Sequence, residues 1–377
     1  MDTLEKSSMP IGVDSYLDWV SREGLRVHEG VALNLFHVET ADWPRYEVKG
    51  AALHFTGRGD YCSMFLHDIP AGRTTAPVQH VYEALYFVLE GRGSTQLEFP
   101  DGGKRQFEWG PRSFFAIPLN AKYRHYNGSG VKRALLASTT NAPMMMKIFH
   151  DDNFIFNLPY AFNSRVGPDD HYKGTGELHM LGAGKNTWQT NFVPDMGSIE
   201  LTAYDERGPG SSNIKFALAD SIMHVHISEI AAATYKKAHR HGAGTHVLTL
   251  TGDGYSLLWN PGDTDFQRVD WEYGVVFPPC DQQFHQHFVT STQASRYLAT
   301  GLGGVSYVFS AQQARTGGTN GKPMASKTSI KQGGDQIEYE DQDPRIHQIW
   351  LDEMRKRGIT PRLELPVAPE RGLPLQP

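Results

Sequence analysis

Residues 238–254 read AHRHGAGTHVLTLTGDG. His239 and His241 flank Arg240, and in an extended chain side chains two apart point to one face. His246 follows five residues after His241 and shares a face with Leu248 and Leu250. Two leucines mark that face as the inner one, so three imidazoles converge inside a closed sheet. A fourth lies downstream in Phe284-His285-Gln286-His287-Phe288. Neutral imidazole is a common transition-metal ligand, and several inward histidines are expensive to bury without a metal. The stretch therefore predicts a metal site of His239, His241, His246 and His285 on β-strands. His287 shares a face with His285 if that segment is extended. With Gln283 it is the candidate for acid/base or hydrogen-bonding work beside the metal. Arg240, between two ligands, is expected to face outward.

This order of residues resembles the cupin superfamily. Its first motif is a Gly, five residues, His-x-His, three or four residues, Glu, six residues and Gly. Here His239-x-His241-x4-His246 keeps the spacing with His in the Glu place, Gly252 comes one residue early, and Ala233 stands where the leading Gly would be. Gly274, Pro278 and His285 match the second motif, with two extra residues between Pro and His. The His-only set and the His-Arg-His piece resemble gentisate-type ring-cleaving dioxygenases. The resemblance implies an all-β fold of two tandem cupin (double-stranded β-helix, jelly-roll) barrels and a bound divalent transition metal. It favours Fe(II), while the donor set alone also suits Mn, Ni, Cu or Zn.

Outward from that stretch, the chain repeats itself. Gly91-Arg92-Gly93 aligns with Gly252-Asp253-Gly254, which puts Val78 on His239, His80 on His241 and Leu85 on His246. With a one-residue adjustment Pro118 falls on Pro278, His125 on His285 and Asn127 on His287. Two similar halves about 160 residues apart read as a duplicated barrel. The first half keeps two metal-type positions, His80 and His125, and is expected to be a degenerate site. The expected division is an arm with a short helix over 1–45, a first barrel over 46–150 and a connector over 151–215. A metal-holding second barrel over 216–310 and a tail over 311–377 follow.

Local signals fit that plan. Asp14 or Ser15 caps a helix through Trp19 and Val20 that ends near Gly24. Runs at 51–56, 61–67, 85–90, 94–99 and 112–117 read as short strands, with turns at Gly91-Arg92-Gly93 and Asp101-Gly102-Gly103. Residues 312–334 are polar and Gly-rich. Asp343-Pro344 opens a helix over 344–357 that stops at Gly358, with Ile346, Ile349, Trp350 and Met354 on one face. That face must cover its own barrel or a subunit interface, and the Pro-rich end of the chain is expected to drape over a neighbour. His224-Val225-His226 is a second His-x-His with no partner spacing after it, and it reads as structural. Tyr255 and Trp259 read as core before cavity lining.

Composition excludes several classes. The chain has 377 residues and a net charge of −6, so no basic excess points to nucleic acid or an anionic membrane. Cys62 and Cys280 are too few for a disulfide framework and read as free thiols, Cys280 in a packing role. The first twenty residues lack a signal-peptide core, so a cytoplasmic location is expected. No Gly-rich phosphate loop, GxSxG or CxxC occurs. Seventeen histidines are present, and the clustering of seven between Ser221 and Thr300 is what carries information. The leading expectation is an Fe(II) dioxygenase whose partners are O2 and a small hydroxylated aromatic or chelating carboxylate substrate, assembled as a homo-oligomer. A non-oxidative metal-dependent isomerase, decarboxylase or hydrolase, and a metal- or small-ligand-binding protein, are the alternatives.

Overall fold

The computed structural model describes residues 11–99, 102–307, 309, 311 and 324–363. The chain folds as two tandem cupin-type jelly-roll barrels with a few short helices. In the first, the large sheet runs in the order Val48–Phe55, Ser63–Ile69, Ala134–Thr140, Ala84–Glu90, Phe114–Ile117. In the second the order is Ser212–Ala217, Met223–Ile230, Ser295–Leu302, His246–Thr251, Val275–Phe277. The sequence of pairing is the same in both halves. Each large sheet faces a smaller one, built on Lys122–Asn127, Gly93–Glu98 and Lys104–Trp109 in the first barrel. The smaller sheet of the second barrel is Gln267–Asp270, Gly254–Trp259, Phe284–Val289, Ala238–His239 and Gln336–Ile337. The strand Ser212–Ala217 spans the boundary expected at 216.

The two barrels pack large sheet against large sheet. One apolar cluster takes Leu53, Leu66, Leu85 and Leu135 from the first sheet and Ile214, Val225, Ile227, Leu248 and Leu250 from the second. Thr139 and Thr300 hydrogen-bond across it at 2.8 Å. Both faces of these sheets are therefore buried, and only one of them faces a barrel interior. Strands are also exchanged between the halves. Leu33–Asn34, from the N-terminal arm, pairs with Val275 and Val276 of the second barrel. Phe192–Val193, from the connector, pairs with Phe114 and Phe115 of the first.

The helices follow their local signals. Asp14 Oδ1 accepts the amides of Tyr16 and Leu17 and starts Ser15–Arg22. Asp343 caps Pro344–Arg357, which ends at Gly358 in the left-handed region (φ 65°), where a residue without Cβ is least strained. That helix lays Ile346, Trp350 and Met354 on the outer face of the second barrel's small sheet, against Tyr235, Tyr255, Trp259, Phe284 and Phe288. Of the two coverings open to it, it thus takes its own barrel. The polar run's 312–323 and the chain's end from 364 lie outside the described residues.

Candidate metal centre

Alternation on two neighbouring strands builds the site. Ala238–His239 pairs antiparallel with Phe284–Val289, so that His239 stands directly opposite His285. His241 follows two residues later. The ring centroids lie 4.2 Å apart for His239 and His285, 4.7 Å for His241 and His285, and 5.6 Å for His239 and His241. Among the described residues these three form the one group of three or more donors whose ligand atoms lie within 4.8 Å of one another. The His241 Nδ1–H donates to the Gly242 carbonyl at 2.8 Å and the His285 Nδ1–H to the Gln283 carbonyl at 3.2 Å. Those bonds fix the tautomer and leave each Nε2 lone pair free. The buried His239 Nδ1 has no hydrogen-bond partner.

All three imidazoles are held neutral. Burial pushes each pKa below the ordinary histidine range and the Arg207 guanidinium acts in the same direction, joined at His239 and His285 by the neighbouring rings and opposed at His241 by the Gly242 carbonyl, Asp335 and Asp281. Three neutral, converging imidazoles with an orphaned nitrogen fit a divalent transition metal, because a metal satisfies donors that are costly to bury unpaired.

His246 stands apart from them. Its strand partner is Thr300, whose hydroxyl meets Thr139 of the first barrel, and its ring lies 5.5 Å from that of Phe55. Its face, with Leu248 and Leu250, is the face between the barrels, not the inner one. Thr245, one residue earlier, lines the cavity beside the histidines. A shift of one residue along a strand exchanges its faces, and here the more apolar face is the one against the other barrel.

His287 lies behind His285 on the inner face, its ring 5.5 Å from His285 and 4.7 Å from Tyr297. Ser256 Oγ hydrogen-bonds its Nδ1 at 2.8 Å and accepts the Trp271 indole N–H at 2.9 Å. The Gln283 side chain turns away and accepts the Cys280 amide. Arg240 faces outward to Asp335.

The same Trp–hydroxyl–His chain recurs in the first barrel as Trp109, Thr95 and His125. His125 thus corresponds to His287, not to His285 as the alignment with its one-residue adjustment gave it. Tyr123 takes the place of His285 and bridges to Val78 as His285 pairs with His239. Its hydroxyl hydrogen-bonds Tyr46, Tyr86 and His80 Nε2. The first barrel keeps a single equivalent of the three clustered histidines, His80, and a phenol occupies the centre.

The cluster opens into a cavity of about 300 Å³. His224, His226, Asn213, Lys215 and Ser228, from two adjacent strands of the large sheet, line it together with Lys236, Arg207 and Tyr297. None of its lining residues is Asp or Glu. His224 Nε2 and His226 Nδ1 are 2.7 Å apart and share a hydrogen bond. His224-x-His226, read from sequence as structural, therefore belongs to the site. Burial pushes the His224 pKa down to about 3, with Lys215 and His241 adding to the shift. Reading for motifs missed Lys215, Lys236 and Arg207. One signal was present: Ser212–Ala217 and Met223–Ile230 alternate polar and apolar residues, and the polar set is the one facing the barrel interior.

No family model matches the sequence, and no curated protein matches it. Among solved structures the chain is similar to vicilin from hazelnut, Corylus avellana, at a TM-score of 0.45 and 9% identity, covering 72% of this chain and 85% of that one. It is similar to the oxalate decarboxylase of Lactobacillus farciminis in its formate complex, at 0.47 and 9%, covering 74% and 87%. A Bacillus subtilis oxalate decarboxylase described with Mn(II) centres gives 0.46 and 8%, covering 73% and 78%. The fold assignment rests on the strand order and register above.

Proposed function

We propose that this chain is a metal-dependent bicupin enzyme, an Fe(II) dioxygenase acting on a small hydroxylated aromatic or chelating carboxylate substrate. His239, His241 and His285 hold the metal, one per chain, in the second barrel. The observation that carries the reading is the convergence of three neutral imidazoles on an acid-free cavity large enough for a small organic anion. A bound Fe(II) would supply redox chemistry toward O2 and Lewis-acid activation of a chelating oxygen donor.

The chain's own groups do the rest. The carbonyls of Gly242 and Gln283 hold the His241 and His285 rings in one tautomer and orientation. Arg207 and Lys236 draw an anionic substrate toward the histidines; Arg207 is itself held by Gln336 at 3.1 Å. The His224–His226 pair holds a proton between His224 Nε2 and His226 Nδ1, and the ring nitrogen the pair leaves unprotonated can accept one from a substrate hydroxyl. His287, tied to Ser256 and Trp271, positions the wall behind His285. Tyr297 and Leu302 narrow the space left to water.

The test is anaerobic reconstitution with Fe(II), followed by O2 uptake with hydroxybenzoates, catechols and chelating carboxylates. Substrate-dependent uptake that disappears in His239→Ala is expected. Uptake with none of them, or turnover indifferent to air, overturns the dioxygenase reading.

A further inference from the structure

The cavity holds more positive charge than a metal-chelating group needs. Lys236 is 2% exposed and Arg207 6%, and neither has a carboxylate partner among the described residues. Lys236 Nζ reaches only the Tyr297 hydroxyl, at 3.5 Å, and lies 5.1 Å from that ring's centroid. Glu229, the nearest acid acting on it, is engaged by Arg296 at 2.6 Å. Lys215 stands on the facing sheet, directly opposite His226 across the strand pair, and has no carboxylate partner among the described residues either. Its neighbours are the His224–His226 pair, which can donate an N–H but carries no negative charge.

These charges act on different sets of histidines. Arg207 acts on His239, His241 and His285 and so belongs to the metal end, while Lys236 acts on His287 and His226 and stands between the two ends. Lys215 acts on His224 and His226, on the other sheet. An ammonium removed from water without an anion is costly, and that cost falls on Lys236, while Lys215, half-buried on the facing wall, adds a second cation that an anion between them would offset. Burial, with Lys185 and Lys327 adding to it, lowers the Lys215 pKa to about 8, as expected of a cation lacking its counter-charge.

We propose that Lys215, with the His224–His226 pair beside it, is a second anion subsite facing Arg207 and Lys236, and that the ligand is a small dicarboxylate-class dianion spanning the two. It rests on the metal reading above only for the environment of one end. One carboxylate group lies by the histidines and the other is held by Lys215 and an imidazole N–H.

Calorimetric titration with succinate and glutarate against propionate and butyrate tests this, on metal-free protein and on protein loaded anaerobically with Fe(II). The dicarboxylates are expected to bind at least tenfold tighter than the monocarboxylates. Lys215→Met should abolish that preference while leaving metal affinity and monocarboxylate binding unchanged, and Lys215→Arg should restore it. Equal binding of mono- and dicarboxylates, or an undiminished preference in Lys215→Met, overturns the subsite. A Lys215-dependent preference in protein that takes up no metal keeps the subsite and removes the enzyme reading. O2 consumption with monoanions, indifferent to Lys215, does the reverse.

Discussion

His239 carries the least satisfied polar atom of the cluster, a buried Nδ1 with no partner. Removing that ring, or that of His285, takes away one of three donors. His239→Ala and His285→Ala should therefore lose stoichiometric metal, measured by elemental analysis after gel filtration. His80→Ala should keep it, because the His80 ring bonds Tyr82 and Tyr123 instead. His246 leads to a different expectation. Burial lowers its pKa to about 4, so the folded protein keeps it neutral where an unfolded chain would protonate it. Its stability contribution is complete above pH 6.5 and is lost as pH falls toward 4. Leu85 fills the corresponding place in the first barrel, within the same core. His246→Leu should therefore gain about 2 kcal/mol on the parent between pH 7.5 and pH 5, read from urea unfolding at both, with unchanged metal affinity. The His-x-His spacing was legible in the sequence because a strand alternates strictly. The direction of His246 was not, since its strand is buried on both faces and nothing local separates barrel interior from barrel interface.

At the scale of elements, the C-terminal segment braces the strands that carry the site. Gln336–Ile337 pairs with Ala238–His239 and so adds an outer strand beside His239. Helix Pro344–Arg357 then covers the back of Phe284–Val289, where the Trp350 indole N–H donates to the Val289 carbonyl at 3.2 Å and its ring lies 5.0 Å from Tyr235. Trp350→Ala should cost about 3–5 kcal/mol, the range for emptying a buried aromatic site, measured by denaturant unfolding. The helix itself was readable from Asp343-Pro344, its 3.6-residue apolar spacing and Gly358. Which surface it covers was not, because its apolar face fits a subunit interface and its own barrel equally well until the sheet behind it is seen. The polar-inward alternation of Ser212–Ala217 and Met223–Ile230 is the converse case. The pattern was visible, but its meaning depends on knowing that the apolar side faces another barrel.

For the whole molecule, the shared core between the large sheets makes the halves one cooperative unit. Thermal unfolding should show a single transition with matching calorimetric and van't Hoff enthalpies; two resolved transitions would show independent barrels. The duplication was evident from the glycine-anchored alignment, whereas its register in the second motif was not, since a two-residue slip exchanged Tyr123 for His125 without disturbing the apolar pattern. The traded strands go further than the core. Leu33–Asn34, from the N-terminal arm, extends the second barrel's large sheet, and Phe192–Val193, from the connector, extends the first's. The two halves are thus bound to each other by sheet pairing as well as by the shared core, and the covalent junction between them is expected to be dispensable for their association. A protease nick near Met180, which is 66% exposed, should leave two fragments that co-elute and separate only in denaturant.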